Sequence, residues 1–91
     1  MYLEIVSPEA TLFSGEVVSV VVPGVNGEFE MLNSHAPIVS ILKAGDIKIN
    51  GDVVLEENVA DKFEKKDGKT ILAVNSGAIE INDNKIIILA D

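Results

Sequence analysis

The chain contains no cysteine and no tryptophan, and all seven of its cationic side chains are lysine, so it has no arginine either. Without cysteine there is no disulfide framework and no thiolate metal site, which fits a reducing compartment. The missing arginine and a formal net charge of −8 remove the side chains that grip phosphate and neutralise a nucleic-acid backbone. Nucleic acid is therefore excluded as a partner. No apolar run approaches the ~20 residues that a bilayer span requires, so no direct membrane insertion is expected. The start, Met1-Tyr2-Leu3-Glu4-Ile5, lacks the basic region and apolar run of a signal peptide. These absences together predict a soluble, cytosolic domain.

Aromatic residues make up only 4% of the chain although hydrophobic residues make up 47%. The interior must then be built from aliphatic side chains, and twelve Val and eleven Ile supply it. β-Branched residues are stiff about their first rotamer and pack well on a pleated surface, which favours sheet over helix. Ninety-one residues suffice for one core, so residues 1–91 are expected to form one domain.

Turn signals recur at short intervals, from Ser7-Pro8 and Ser14-Gly15 through Asn26-Gly27, Asn50-Gly51 and Asp67-Gly68 to Asp83-Asn84. Short apolar-rich runs lie between them, the pattern of an all-β sandwich or barrel. Strands are expected over residues 2–6, 17–22, 28–32, 38–42, 46–50, 70–74, 78–82 and 85–89. Asn50-Gly51 and Asp83-Asn84 favour positive φ and predict tight hairpins. Leu55, Val59 and Phe63 are spaced four apart, as on an amphipathic helix. A lone short helix is marginal, and a hairpin is the preferred reading of residues 55–66. Residues 17–22 and 85–89 do not alternate apolar with polar, so both faces of those strands should be covered, part of one sheet by another subunit.

Charge is unevenly spread. Residues 1–42 hold five Glu and no Lys, whereas residues 43–91 mix ten acids with all seven Lys. A surface of one sign aids solubility and also steers association, so a basic partner is expected near the first half.

Little in the chain suggests catalysis. The single histidine, His35, has Ser34 and Ser40 nearby in sequence, but no G-x-S-x-G elbow accompanies them. One His without Cys gives no recognisable metal-ligand spacing. Pro23-Gly24-Val25-Asn26-Gly27 precedes Glu28 rather than a Gly-Lys-Ser/Thr sequence and reads as a turn, not a phosphate loop. No cofactor is expected. Asp61-Lys62 suggests one alternative, a lipoyl- or biotinyl-type carrier domain modified at Lys62, although Phe63 stands where such domains keep a smaller or more flexible residue. His35 follows the turn pair Asn33-Ser34 and precedes the extension imposed by Pro37, so it is expected at a loop tip entering a strand. Loop tips on a rigid sheet are where partner contacts are placed.

Several segments together resemble the amino-terminal β-sandwich domain of the epsilon subunit of bacterial F-type ATP synthases, called delta in mitochondria. They are Leu3 to Glu9, Leu12-Phe13-Ser14-Gly15-Glu16-Val17, Pro23 to Phe29, His35-Ala36-Pro37-Ile38-Val39, Lys43-Ala44-Gly45, Ser76 to Ile81 and Asn84 to Asp91. The resemblance implies a flattened two-sheet β-sandwich of about ten short strands. It also implies a non-catalytic subunit of the rotating central stalk that links the gamma subunit to the c-ring and couples ion translocation to ATP synthesis. Such a subunit is peripheral, on the cytoplasmic face of the membrane. Carried over, the c-ring contact falls on Glu28, Glu30, Met31, Asn33, Ser34 and His35, and the gamma side on Ser40, Leu42, Asn75 and Ser76. Met31-Leu32-Asn33-Ser34-His35 departs from the family's Leu-Pro-Gly-His turn, and Glu30 stands where Gly is common. Many family members continue past the position of Asp91 into a helical hairpin that carries inhibition and, in some, ATP binding. Neither activity is expected of these 91 residues.

Overall fold

The computed structural model describes residues 1–32 and 36–91. Ten strands follow one another: β1 (Tyr2–Val6), β2 (Thr11–Glu16), β3 (Ser19–Gly24), β4 (Gly27–Met31), β5 (Ile38–Leu42), β6 (Gly45–Asn50), β7 (Phe63–Lys66), β8 (Lys69–Val74), β9 (Gly77–Asn82) and β10 (Lys85–Ala90). One half of the sheet runs β2-β1-β10-β9-β5, and the other has β3 between β4 and β6, followed by β8 and β7. Among the described residues a single register pairing, Gly24 with Leu42, joins the halves. The sheet curls there and closes on itself as the expected all-β sandwich.

The core lies between the halves. Along one inner face Leu3, Ile86, Ile81 and Ile38 are in register across four strands, and so are Ile5, Ile88, Ile79 and Ser40. Opposite them stand Val20 with Met31 and Ile49, and Ile47 with Leu72 and Phe63. The buried hydrophobic residues form one cluster. Branched aliphatic side chains alternating inward at every second residue produce it, as the composition predicts.

Most expected strands occur within a residue or two of their predicted ends, and β1 and β5 occur as predicted. Three expectations need correction. Thr11–Glu16 is a strand where none was assigned, and the strand expected over residues 17–22 begins later, at Ser19. The register shifts between Ile5↔Phe13 and Val6↔Thr11, so β2 carries one extra residue, and adjacent Leu12 and Phe13 are both buried. Such a bulge destroys the alternation by which a strand is recognised.

Asn50-Gly51 makes no hairpin. Gly51 has φ +141, and a Cβ there would lie 3.1 Å from the Val18 nitrogen, so this glycine lets β6 pass close to the chain entering β3. Asp83-Asn84 does make one, with φ of 51 and 61, as a two-residue hairpin of this hand requires. Residues 55–66 form neither a helix nor a self-contained hairpin. A 3-10 turn at Ala60–Lys62 leads into β7, which pairs with β8 across Asp67-Gly68, and Val59 is the buried anchor of the turn.

The strands that do not alternate have two different explanations. In β3 the outward Val21 is half-buried, flanked in register by the long side chains of Glu30 and Lys48. This chain therefore supplies the cover itself. In β10 the outward Leu89 is 55% exposed, and nothing among the described residues covers it.

Candidate partner-binding surfaces

Two surfaces emerge on different sides of the sandwich. The first is β4, which among the described residues pairs only with β3 and is an edge strand. Its alternation turns Phe29 and Met31 towards the core opposite Val22 and Val20, and leaves Glu28 and Glu30 exposed. Glu28 accepts an ion pair from Lys48 at 3.1 Å. Exposed pairs of this kind are weak, worth up to about 1 kcal/mol. Among the described residues Glu30 has no ion-pair partner, so its charge is open to whatever approaches this edge. Met31 is fully buried. Its assignment as a contact residue is corrected accordingly, and the exposed apolar side chain at that end is Leu32. Asn33, Ser34 and His35, the remaining residues of this proposed contact, lie outside the described residues.

The second surface is the outer face of β1, β10, β9 and β5. Val6, Leu89, Ala78 and Ile41 are in register across the four strands. They form an apolar row, with Leu89 and Ile41 largely exposed. The next row is Glu4, Ile87, Glu80 and Val39, and Val39 is exposed as well. A shallow depression of about 480 Å³ at one end of the apolar row is lined by Val6, Pro8, Gly77, Ala78 and Leu89. Contiguous exposed apolar surface on a small protein marks a place where another molecule sits.

This face lies on the strand that holds two of the expected gamma-side residues, but in the opposite phase. Ser40 is in register with the core residue Ile79, and Leu42 is only 1% exposed. Both side chains are on the core side of β5. Leu42 is thus corrected from a contact residue to a core residue, and Val39 and Ile41 present the outer face in its place. Ile38-Val39-Ser40-Ile41-Leu42 is apolar in both phases, so no alternation could signal which side faces out. Asn75 and Ser76 form the turn after β8. Ser76 donates a hydrogen bond from Oγ to the Asp91 carboxylate at 3.0 Å, and its carbonyl accepts one from the Asp91 nitrogen at 3.1 Å. Asn75 is exposed beside it.

Lys62 ends the 3-10 turn and donates its backbone N–H to Val59. It is not at a hairpin tip, where a carrier domain would need it. Among the described residues no three His, Asp or Glu side chains converge as a metal would require. No helix among them is long and apolar enough to cross a membrane.

The chain matches the family described as the β-sandwich domain of the ATP synthase delta/epsilon chain over residues 1–91. It is 42% identical over 91 residues to the ATP synthase epsilon chain of Campylobacter concisus, covering 100% of this chain and 60% of the relative. It is 34% identical over 89 residues to the epsilon chain of Chlorobium limicola, covering 98% of this chain and 86% of the relative. The chain thus spans about 60% of the length of the Campylobacter relative. Among solved structures it resembles a chain of the Tetrahymena thermophila mitochondrial ATP synthase central stalk and c-ring, with a TM-score of 0.74 and 13% identity. That match covers 99% of this chain and 62% of the other, and at such identity it is a likeness of fold.

Proposed function

The chain belongs to the β-sandwich domain family of the ATP synthase delta/epsilon chain, and from that premise we propose that it serves as a non-catalytic subunit of the rotating central stalk. In this reading it joins the gamma subunit to the c-ring and passes torque between ion flow and ATP synthesis. It is peripheral to the membrane, on its cytoplasmic face.

The observation that carries this reading is the presence of two unlike docking surfaces on one rigid sandwich. The edge with Glu28, Glu30 and Leu32 suits a polar, basic neighbour such as the loops of a c-ring, and Asn33, Ser34 and His35 continue it in sequence. The outer face of β5, β9, β10 and β1 suits a packed protein partner such as gamma, with Asn75 and Ser76 at the end of the sandwich where β5 closes and β9 begins. A linker needs both surfaces, whereas an enzyme would need a site.

Reversing charge with Glu28→Lys and Glu30→Lys together tests the reading. Both residues are exposed, so the variant should fold, while membranes carrying it should show ATP hydrolysis less well coupled to ion pumping. Ion pumping equal to the unaltered protein would sink the c-ring assignment.

A further inference from the structure

The outer apolar face is interrupted by carboxylates. Glu80 lies on β9 with Ile87 and Val39 as its register neighbours on either side and Ala78 two residues away along the strand. Glu4 occupies the same row beside Ile87. Among the described residues neither has an ion-pair partner. Lys85 stands at one margin of the face with its ammonium 5.7 Å from the centre of the Tyr2 ring, and Lys43 lies beyond the end of β5.

We propose that the partner docking on this face presents a cationic side chain opposite Glu80, and that Glu80 selects such a partner over other apolar surfaces, including a second copy of this chain. The proposal rests on the reading of this face as the docking surface for gamma and specifies the chemistry that gamma must bring to it. A carboxylate surrounded by Ile87, Val39 and Ala78 loses its water when those side chains are covered, and an ionised group without water needs a compensating charge. An all-apolar partner would leave Glu80 unpaired at the centre of the contact. A second copy fits poorly, because each copy carries a net charge of −8 and its own Glu4 and Glu80. A partner with an Arg or Lys in the right place turns the same carboxylate from a penalty into a requirement, the way repulsive elements confer specificity.

The test is titration of the purified gamma subunit of the same ATP synthase with the chain carrying Glu80→Gln, Glu80→Lys or Glu64→Gln, each at several ionic strengths. Glu64→Gln removes the same charge from exposed β7, in the other half of the sheet, and is expected to bind as the unaltered chain does. Glu80→Gln is expected to weaken binding by about thirtyfold and to flatten its salt dependence, and Glu80→Lys to weaken it further. Equal binding of the unaltered chain and Glu80→Lys would overturn the proposal while leaving gamma docking intact. Failure of the unaltered chain to bind gamma would instead overturn the stalk reading, and the proposal with it. Sedimentation of the chain alone should show a monomer, and a dimer abolished by Ile41→Ser would show that a second copy is the occupant.

Discussion

Ile41 and Leu42 are chain neighbours with opposite fates, and truncating each in turn separates folding from binding. Leu42 is 1% exposed and sits at the junction of the two halves, paired with both Gly77 and Gly24. Leu-to-Ala changes at such sites cost about 2–5 kcal/mol through lost transfer energy and an unfilled cavity. A domain of this size shifts its melting temperature by about 4–8 °C per kcal/mol, so Leu42→Ala is expected to lower it by roughly 8–40 °C. Ile41 is 66% exposed, so Ile41→Ser should leave the melting temperature of the free chain nearly unchanged. If gamma docks on this face as proposed, that exposed fraction becomes buried. Full burial of an Ile side chain is worth about 1.5–3 kcal/mol, so two thirds of it corresponds to about 1–2 kcal/mol, or roughly five- to thirtyfold in affinity. Thermal unfolding by circular dichroism reads the first effect, and calorimetric titration with gamma reads the second. The opposite pattern, with Ile41→Ser unfolding the chain and Leu42→Ala melting normally, would refute the assigned phase of β5.

Two further substitutions test the fold around these surfaces. A Cβ at Gly77 would press on the carbonyl oxygen of Leu89, a backbone atom in the neighbouring strand. Gly77→Ala is therefore expected to destabilise by about 1–3 kcal/mol in urea unfolding, and an unchanged midpoint would contradict the close approach of β9 and β10. Asp83 has φ 51 in the hairpin between β9 and β10, a conformation that β-branched residues resist. Asp83→Val should cost about 1–2 kcal/mol in the same assay, whereas Asp83→Gly should not.

How much of this was legible in the sequence follows from what each segment displays. Strands such as Asp46-Ile47-Lys48-Ile49-Asn50 announce themselves by alternating, and β6 turned up where alternation placed it. β2 was illegible because its bulge buries two consecutive residues, Leu12 and Phe13. Asn50-Gly51 misled because a glycine needed for close passage of two backbones has the same spelling as one needed for a turn. The family was readable from ordered motifs spread along nearly the whole chain, but contact residues were not readable to the same precision. Motif position fixes the strand, while exposure depends on its phase, and in β5 every residue except Ser40 is apolar. Ser40 was carried over from the family as a gamma-side residue, yet its register partner is the core residue Ile79. Met31 failed in the same way: it ends an acidic strand, but on the inward phase opposite Val20.

The pairing of β1 with β10 is parallel, running through five rungs from Tyr2↔Lys85 to Val6↔Leu89. The leading end of β1 and the trailing end of β10 therefore emerge at opposite poles of the sandwich. A pull between those poles loads every rung of the ladder in shear, so the rungs must give way together. An antiparallel ladder gripped at one end would unzip a rung at a time. The first and last of the ten strands thus hold each other against such a pull.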